Sequence, residues 1–426
     1  MAAWIVLVCT FPLIWMGGLV TSHGAGMAVP DWPNSFGYNM FALPFTAWLG
    51  SEAGGVFYEH FHRILGMVAG MAVVLVVAQA FAPARNVAFR RKLGAMAIAW
   101  LLLGTGAAII TWSLEAAGRI DPNKARLSGH FVSGFISLGV LFIVLWSSRR
   151  RETRTWLRRV CLILLGAIVL QGLMGGLRVT EVSLTLAKLH GIFGQLVFAL
   201  AAAVCVFSSR WWVERPIVDA ITAKNSKKMG RLAIVAIFLI VCQLVLGALM
   251  RHDPLRSTAT GGGAGLAIPD WPLHYGKLIP PMSKSALPEL NRIRAEQYNL
   301  PEMPSIAGVH LQFTHRLIAY LTAGHILAMV GSAWFRVRNQ KGLLIPTLAL
   351  AVLVVVQVSL GVATVLMRKP ADIATAHQAT GSLLLAVAVV LCVRSFREYA
   401  ARDRRVGVVE PSTTSPAGLG SLAPSH

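Results

Sequence analysis

One apolar segment of this chain begins with a carboxylate and an imidazole at helical spacing. Glu59 and His62 stand three positions apart, Arg63 follows, and an apolar run continues from Ile64 to Phe81. On a helix, Glu59 and His62 lie on the same face. Ionisable groups are costly inside a membrane helix, so by default they mark a functional site.

A second segment opens in a similar way but without the acid. His315 and Arg316 precede another apolar run, and Gln312 takes the place that Glu59 has in the first segment. One site would therefore have a carboxylate near its histidine and the other would not. We expect a catalytic site and a plain cofactor site to differ in this way.

Four histidines lie at equivalent depth near one end of candidate membrane helices. Each has a small residue four positions later, which leaves space beside the imidazole for a flat macrocycle. Haem iron accepts histidine ligands, so this pattern favours two histidine-ligated haem sites over four histidines that only hydrogen-bond to neighbouring helices. The pairs are His62 with Gly66, His190 with Gly194, His315 with Ala319, and His377 with Gly381.

The spacing of Glu59 and His62 also matches half of a di-iron carboxylate motif. That motif needs several further acids in the membrane, which the other candidate helices lack. A di-iron site is therefore the less favoured alternative.

The chain that carries these residues reads as an all-α polytopic membrane protein. Its 426 residues are 55% hydrophobic and only 13% charged, which excludes a soluble globular protein. The net charge of +21 does not indicate nucleic-acid binding, because the basic residues cluster in short links between apolar runs. We predict ten membrane helices, over residues 3–20, 58–82, 93–113, 128–148, 157–179, 188–208, 231–250, 309–335, 342–367 and 375–394.

An internal repeat relates the two histidine segments. Residues 24–33 and 263–272 are identical at eight of ten positions, and each copy follows a membrane helix and precedes a helix with a His-Arg opening. Both copies fall on the same side of the membrane, so the two halves form a parallel repeat. The Gly- and Pro-rich sequence predicts an irregular loop, either a structural turn or a lid or rim over a site.

The distribution of Lys and Arg predicts the orientation. Most lie in the links on one side, whereas the 21–57 loop on the other side has none. Both termini are therefore expected in the cytoplasm, with the histidine sites toward the outer side. The first helix has no cleavage motif, so we expect it to be retained, and a bacterial plasma membrane is favoured over an organelle.

Several motifs together resemble the haem A synthase family. They are the Glu-x-x-His-Arg opening, the four histidines, Gln-Gly-Leu-Met-Gly-Gly-Leu-Arg-Val-Thr at 171–180 and Ala-His-Gln-Ala-Thr-Gly at 376–381. The resemblance covers residues 1–82 and 157–394. It implies eight core helices in two four-helix halves, oxidation of the C8 methyl of haem O to the formyl of haem A, and a haem b cofactor.

The resemblance also implies roles for individual residues. His62 and His190 would frame the substrate haem as axial ligands, Glu59 would be the catalytic carboxylate, and His315 and His377 would ligate haem b. Haem propionates need cationic partners. The candidates are Arg178, Arg251 and Arg316, for which snorkelling to the membrane interface is an equally good reading.

Two features depart from the family pattern. The 21–57 loop contains no cysteine, so no thiol relay can operate there. The predicted helix pair at 93–148 is additional and resembles the pair that follows it. His130 in this pair could replace His190, bind a third haem, or be a relic of duplication; the sequence around His190 fits the family better.

The expected organisation follows from these parts. Residues 1–82 and 157–208 would form the substrate-haem bundle, 93–148 an inserted pair, 231–394 the haem b bundle, and 395–426 a cytoplasmic, partly disordered tail. Expected partners are haem O synthase, cytochrome oxidase assembly factors and membrane lipid, but no nucleic acid. Two alternatives remain: a dihaem b, quinol-linked electron-transfer protein, and a transporter with its histidines in a proton path.

Overall fold

The computed structural model describes residues 3–50, 54–81, 152–214, 218–251 and 263–401, together with scattered positions between 95 and 119. The predicted helix pair at 93–148, with His130, lies outside these continuous ranges, as does the end of the C-terminal tail.

Eight long helices in the described ranges are apolar enough to cross a membrane. This confirms the prediction of an all-α, multi-pass membrane protein. The helices are α1 (Trp4–Ser22), α2 (Gly55–Phe81), α3 (Thr155–Thr180), α4 (Leu184–Phe207), α5 (Ala220–Arg251), α6 (Ala307–Val337), α7 (Lys341–Leu366) and α8 (Ala371–Ala400).

Tight turns join the helix pairs that carry His190 and His377. Between α3 and α4, Val182 has a positive φ of 48°, and the Ser183 side chain caps α4 by accepting a hydrogen bond from Leu186 N at 3.2 Å. Between α7 and α8, Arg368 and Lys369 have φ of 61° and 63°. These short turns place the second helix of each pair antiparallel to the first.

The helices pack as two four-helix bundles that meet along one side of each. In the first bundle α1, α2, α3 and α4 contact one another in a ring, and α5 to α8 do the same in the second. Helices α1 and α4 of the first bundle pack against α5 and α8 of the second. Each bundle has its own apolar core, around Val73 and Leu164 in the first and Met229 and Leu350 in the second.

The two repeat loops, residues 24–38 and 263–277, fold alike. Asp31 accepts hydrogen bonds from the backbone amides five and six positions on, at 2.7 and 2.8 Å, and Asp270 does the same at 2.8 and 2.9 Å. Both loops then close a small antiparallel bridge. The second loop is longer and adds a helix at Leu287–Tyr298, which has no counterpart of similar length in the described part of the first.

An arginine next to each helix histidine anchors the loop to its bundle. The Arg63 guanidinium donates to the backbone carbonyls of Asp31, Asn34 and Val29, at 2.5, 2.9 and 2.7 Å. The equivalent arginine of α6 does the same, because Arg316 donates to Asp270, Leu273 and Ile268 at 2.9, 3.3 and 2.9 Å. In both copies, the repeat is therefore a loop whose backbone is held by an arginine of the neighbouring histidine-bearing helix.

A buried histidine also connects each loop to its helix. In the first half this histidine belongs to the helix, and in the second half it belongs to the loop. In the first half His60 of α2 contacts the Ser35 hydroxyl of the loop, at 3.1 Å. In the second half the loop residue His274 packs edge-on against Phe313 of α6, with ring centroids 5.0 Å apart. Burial, with the Arg316 charge beside it, lowers the pKa of His274. It therefore packs as a neutral ring.

Candidate functional site

The structure brings His62 of α2 and His190 of α4 together across the first bundle. Their ring centroids are 6.3 Å apart and the rings are inclined by 79°. They line a cavity of about 630 Å³, whose wall includes Glu59, Arg178 and the loop residue Trp32. The repeat loop thus forms a rim over the site.

The second bundle contains the same arrangement. His315 of α6 and His377 of α8 have ring centroids 6.5 Å apart, inclined by 64°. They line a cavity of about 250 Å³ that the repeat-loop residues Gly265 and Trp271 border. The first cavity is the roomier of the two, although the imidazole pairs are spaced almost equally.

Each imidazole lies against a glycine of the preceding helix. A Cβ added at Gly17, Gly175 or Gly361 would lie 2.9, 2.8 or 3.0 Å from Cε1 of His62, His190 or His377. A methyl group at Gly17 or Gly175 would therefore force the imidazole to move, and one at Gly361 would press tightly against it. The fourth imidazole has more room, since a Cβ at Gly247 would lie 3.8 Å from Cε1 of His315. These glycines let neighbouring helices approach closely enough to fix the rings.

We expect Gly175→Ala to weaken ligand binding in the first cavity by about tenfold or more, because the new methyl group must displace the His190 ring and misplaced ligand support commonly costs 10- to 100-fold in affinity. Gly166→Ala, on the same helix, is the control, since nothing lies within 4 Å of a Cβ there. A spectroscopic haem titration of both variants measures the difference. Equal affinities would show that the glycine does not position His190.

In three of the four cases, a glutamine one turn before the glycine also contacts the histidine. Gln171 Nε2 and Gln243 Nε2 donate to the backbone carbonyls of His190 and His315, at 2.9 and 2.8 Å. Gln357 lies against His377, with its backbone carbonyl 3.1 Å from the imidazole Nδ1. Sequence reasoning missed these glutamines. The signal was present as Gln-x-x-x-Gly at 171–175, 243–247 and 357–361.

In His190 and His377, a hydrogen bond at Nδ1 leaves Nε2 as the atom for a metal ion. Nδ1 of His190 lies 3.1 Å from the Gln171 carbonyl, so this nitrogen carries the proton, as it does in His377. A backbone carbonyl on the outer nitrogen is the usual support of a metal-ligating histidine. The amide nitrogen of Gln171 is a long 3.5 Å from His190 Nε2, which leaves that atom only weakly engaged.

The small residues predicted from their spacing also line the two cavities. Gly66 and Gly194 border the first, and Ala319 and Gly381 the second. The closest packing against the imidazoles nevertheless comes from the preceding helices. Spacing within one helix predicts which side faces the cavity, whereas the ring contacts depend on the helix next to it.

Glu59 is buried, 2% exposed, and lies between two cations. Its Oε1 accepts from Arg63 Nε at 3.2 Å and its Oε2 from Arg178 Nη2 at 3.3 Å. Arg63 belongs to the same helix and Arg178 comes from α3. The two charge-assisted bonds fix the orientation of the carboxylate at the wall of the first cavity.

The equivalent residue of the second half has a structural role. Gln312 is 3% exposed. Its Oε1 accepts from Ile268 N at 2.5 Å and its Nε2 donates to the Gly265 carbonyl at 3.0 Å. The glutamine therefore holds the backbone of the repeat loop, and the second cavity has no carboxylate at this position.

The three predicted propionate partners differ in their surroundings. Arg178 lines the first cavity but bonds Glu59, and Arg316 lines the second but clamps the repeat loop. Arg251 at the end of α5 lines both cavities and donates to the Gly18 carbonyl and, at 2.8 Å, to Ser22 Oγ of α1. Arg251 thus joins the two bundles between the sites.

The di-iron alternative finds no support in the part of the chain that the structure describes. No group of three or more His, Cys, Asp or Glu residues there could hold a metal ion. All five cysteines are free, which agrees with their positions in apolar runs.

The paired imidazoles fit the two faces of a haem. A metal–imidazole bond is about 2 Å long, so two such bonds with the half-width of each ring separate the centroids by about 6 Å. The observed 6.3 and 6.5 Å match this spacing. The fold and sites define a class: multi-pass helical membrane proteins with two pairs of facing histidines at a spacing that a haem would fit.

The chain belongs to the COX15-CtaA family of cytochrome oxidase assembly proteins, which it matches over residues 1–187 and 134–389. The two matches overlap at 134–187, a stretch that includes the end of the additional helix pair predicted at 93–148.

Relatives in this family include three bacterial haem A synthases. The protein of Methylobacterium radiotolerans is 27% identical over 294 residues, 68% of this chain and 71% of the relative. The proteins of Sinorhizobium medicae and Rhizorhabdus wittichii are 30% and 31% identical over 59% of this chain, and the alignments span 63% and 65% of those relatives, just under two thirds.

Proposed function

We propose that this protein is a haem A synthase, an oxidoreductase that converts the C8 methyl group of haem O to the formyl group of haem A. The observation that carries the proposal is the pair of equivalent bis-histidine cavities, of which only one has a buried carboxylate in its wall. The names of the bacterial relatives support the same activity.

The first cavity is the substrate site in this proposal. His62 and His190 bind the two faces of haem O, and the larger volume of about 630 Å³ suits a ligand that must enter and leave. His315 and His377 hold haem b in the second cavity. Bound there, haem b supplies one-electron chemistry.

Glu59 is the catalytic carboxylate. Oxidation of a methyl group on the porphyrin edge develops positive charge beside the ring, and a carboxylate in a low-dielectric site stabilises that charge. Arg63 and Arg178 hold the Glu59 carboxyl group in a fixed orientation before the reaction. Each oxygen bonds one arginine, so lone pairs remain to accept a proton from water.

The proposed setting is the bacterial plasma membrane, with both termini in the cytoplasm and the haem sites toward the outer side. Haem O synthase supplies the substrate, and haem A passes to the assembly of cytochrome oxidase. The alternative of a dihaem electron-transfer protein is not supported, because it explains neither the relatives nor the carboxylate in one cavity only.

Co-expression with a haem O synthase, followed by chromatography of the extracted haems, tests the proposal. We expect haem A to accumulate only when both proteins are present. Haem b without haem A would point to the electron-transfer protein, and a purified protein with no Soret band would point to the transporter.

A further inference from the structure

The first cavity extends further along its histidine helix than the second. On α2 the residues that line the first cavity continue to Val74, twelve positions past His62, which is about 18 Å along the helix. On α6 those that line the second cavity end at Thr322, seven positions past His315. Because the imidazoles are spaced almost equally in the two halves, a ring held between them does not account for the extra length.

Three positions that are glycine in the first half carry a side chain in the second. Two of them lie four and eight residues past the helix histidine, and the third directly follows the glutamine that contacts the other histidine. All three glycines line the first cavity, so the missing side chains leave room there. The first half has Gly66, Gly70 and Gly172, and the second has Ala319, Ala323 and Val358.

The first cavity opens sideways between α2 and α3. Met67 and Val74 of α2 and Val169 and Leu173 of α3 all line the cavity, yet their side chains are between 39 and 54% exposed. All four lie within membrane-spanning helices. Side chains that face both a cavity and the outside at this depth mark an opening toward lipid. We call the gap between these four residues the α2–α3 window.

Polar contacts join α2 and α3 on either side of the α2–α3 window. At the histidine end, Arg178 Nη2 donates to Glu59 Oε2 at 3.3 Å. At the other end, Arg158 Nε donates to the Ala80 carbonyl at 3.1 Å. The window is therefore a bounded gap in the middle of the two helices, and its four side chains are apolar. Such a wall suits a hydrocarbon chain and offers nothing to a charged group.

We infer that the α2–α3 window holds a long alkyl substituent of the ligand whose ring lies between His62 and His190. The inference rests on the proposed function, in which that ligand is haem O, because haem O carries a long isoprenoid chain where haem b has a short vinyl group. The glycines that widen the first cavity thus select the long-chain haem, and the second cavity, with side chains at those positions, takes the ring without the chain.

The variant Gly70→Ala/Gly172→Val gives the first cavity side chains that the second has at the equivalent positions. Among the described residues, no neighbouring atom lies within 4 Å of a Cβ at either glycine, and both new residues favour a helix more than glycine does, so the fold should survive. Gly166→Val is the matched control, since Gly166 lies on α3 with similar space around it but lines neither cavity.

The test compares two haems on the same preparation. The full chain in detergent, with haem b already bound in its second cavity, is titrated with haem O and, in parallel, with further haem b, and the Soret region is followed. Displacing about two methylene groups from an apolar contact corresponds to roughly a tenfold change in affinity, so we expect the double variant to bind haem O about tenfold more weakly or worse. Its affinity for added haem b should stay within about twofold, as should both affinities of Gly166→Val.

The outcomes separate the possibilities. An unchanged affinity of the double variant for haem O would overturn the inference, because the chain would then lie elsewhere. Equal losses for haem O and haem b, or a loss that Gly166→Val shares, would overturn it too, since the effect would not depend on the chain in the window. If wild type makes no haem A but the double variant loses affinity for haem O alone, the proposed function is contradicted and the inference stands. A wild-type chain that binds no haem in its first cavity would contradict both.

Discussion

Glu59→Gln is expected to lower conversion of haem O to haem A by about a hundredfold or more while haem b stays bound. The substitution keeps size and hydrogen bonding but removes the negative charge, and the loss of such stabilisation costs about 3–4 kcal/mol in the barrier. Haem b should remain, because His315 and His377 lie in the other bundle. Haem b content and haem O conversion are measured on the same preparation.

We also expect the Glu59→Gln variant to fold. Arg63 keeps its three bonds to backbone carbonyls of the repeat loop when its carboxylate partner is neutralised. Glu152→Gln is the control, since Glu152 is ion-paired to Arg154 just before α3 and lines neither cavity. Near-normal conversion by Glu59→Gln would rule out the catalytic role, and loss of haem b as well would indicate a structural one.

His315→Ala or His377→Ala is expected to remove low-spin haem b from the second cavity. Loss of one ligand opens an iron position, so the remaining spectrum should turn high-spin or disappear. Because even outer-shell changes around a metal weaken binding 10- to 100-fold, we expect low-spin haem b to fall at least tenfold. Optical and electron paramagnetic resonance spectra of the purified variants measure this.

His325→Ala is the matched control for this pair. His325 lies on α6, as His315 does, but its Nε2 contacts the Leu232 carbonyl at 2.9 Å and it does not line the cavity. Its removal should leave the spectrum unchanged. A full low-spin spectrum in both His315→Ala and His377→Ala would show that the axial ligands have been assigned wrongly.

The sequence alone determined the class of fold and the outline of the sites. An apolar run long enough to span a bilayer must form a helix, because a single segment can satisfy its own backbone polar groups in lipid only in that conformation. Six of the predicted spans in the described part of the chain agree with their helices within about four residues, whereas α5 begins at Ala220, well before the predicted start at 231, and α8 extends beyond the predicted 375–394 at both ends. The repeat at 24–33 and 263–272 predicted two equivalent halves, and histidines at the same depth predicted which side chains could meet.

Only the tertiary structure decided what surrounds each imidazole and the carboxylate. The glycine contacts of the imidazoles and the Arg178 bond to Glu59 join different helices, and Glu59 and Arg178 lie more than a hundred residues apart in the chain. Periodicity fixes the face of a helix but not its rotation and depth against a neighbour. Those depend on packing of all eight helices at once, which local sequence does not specify.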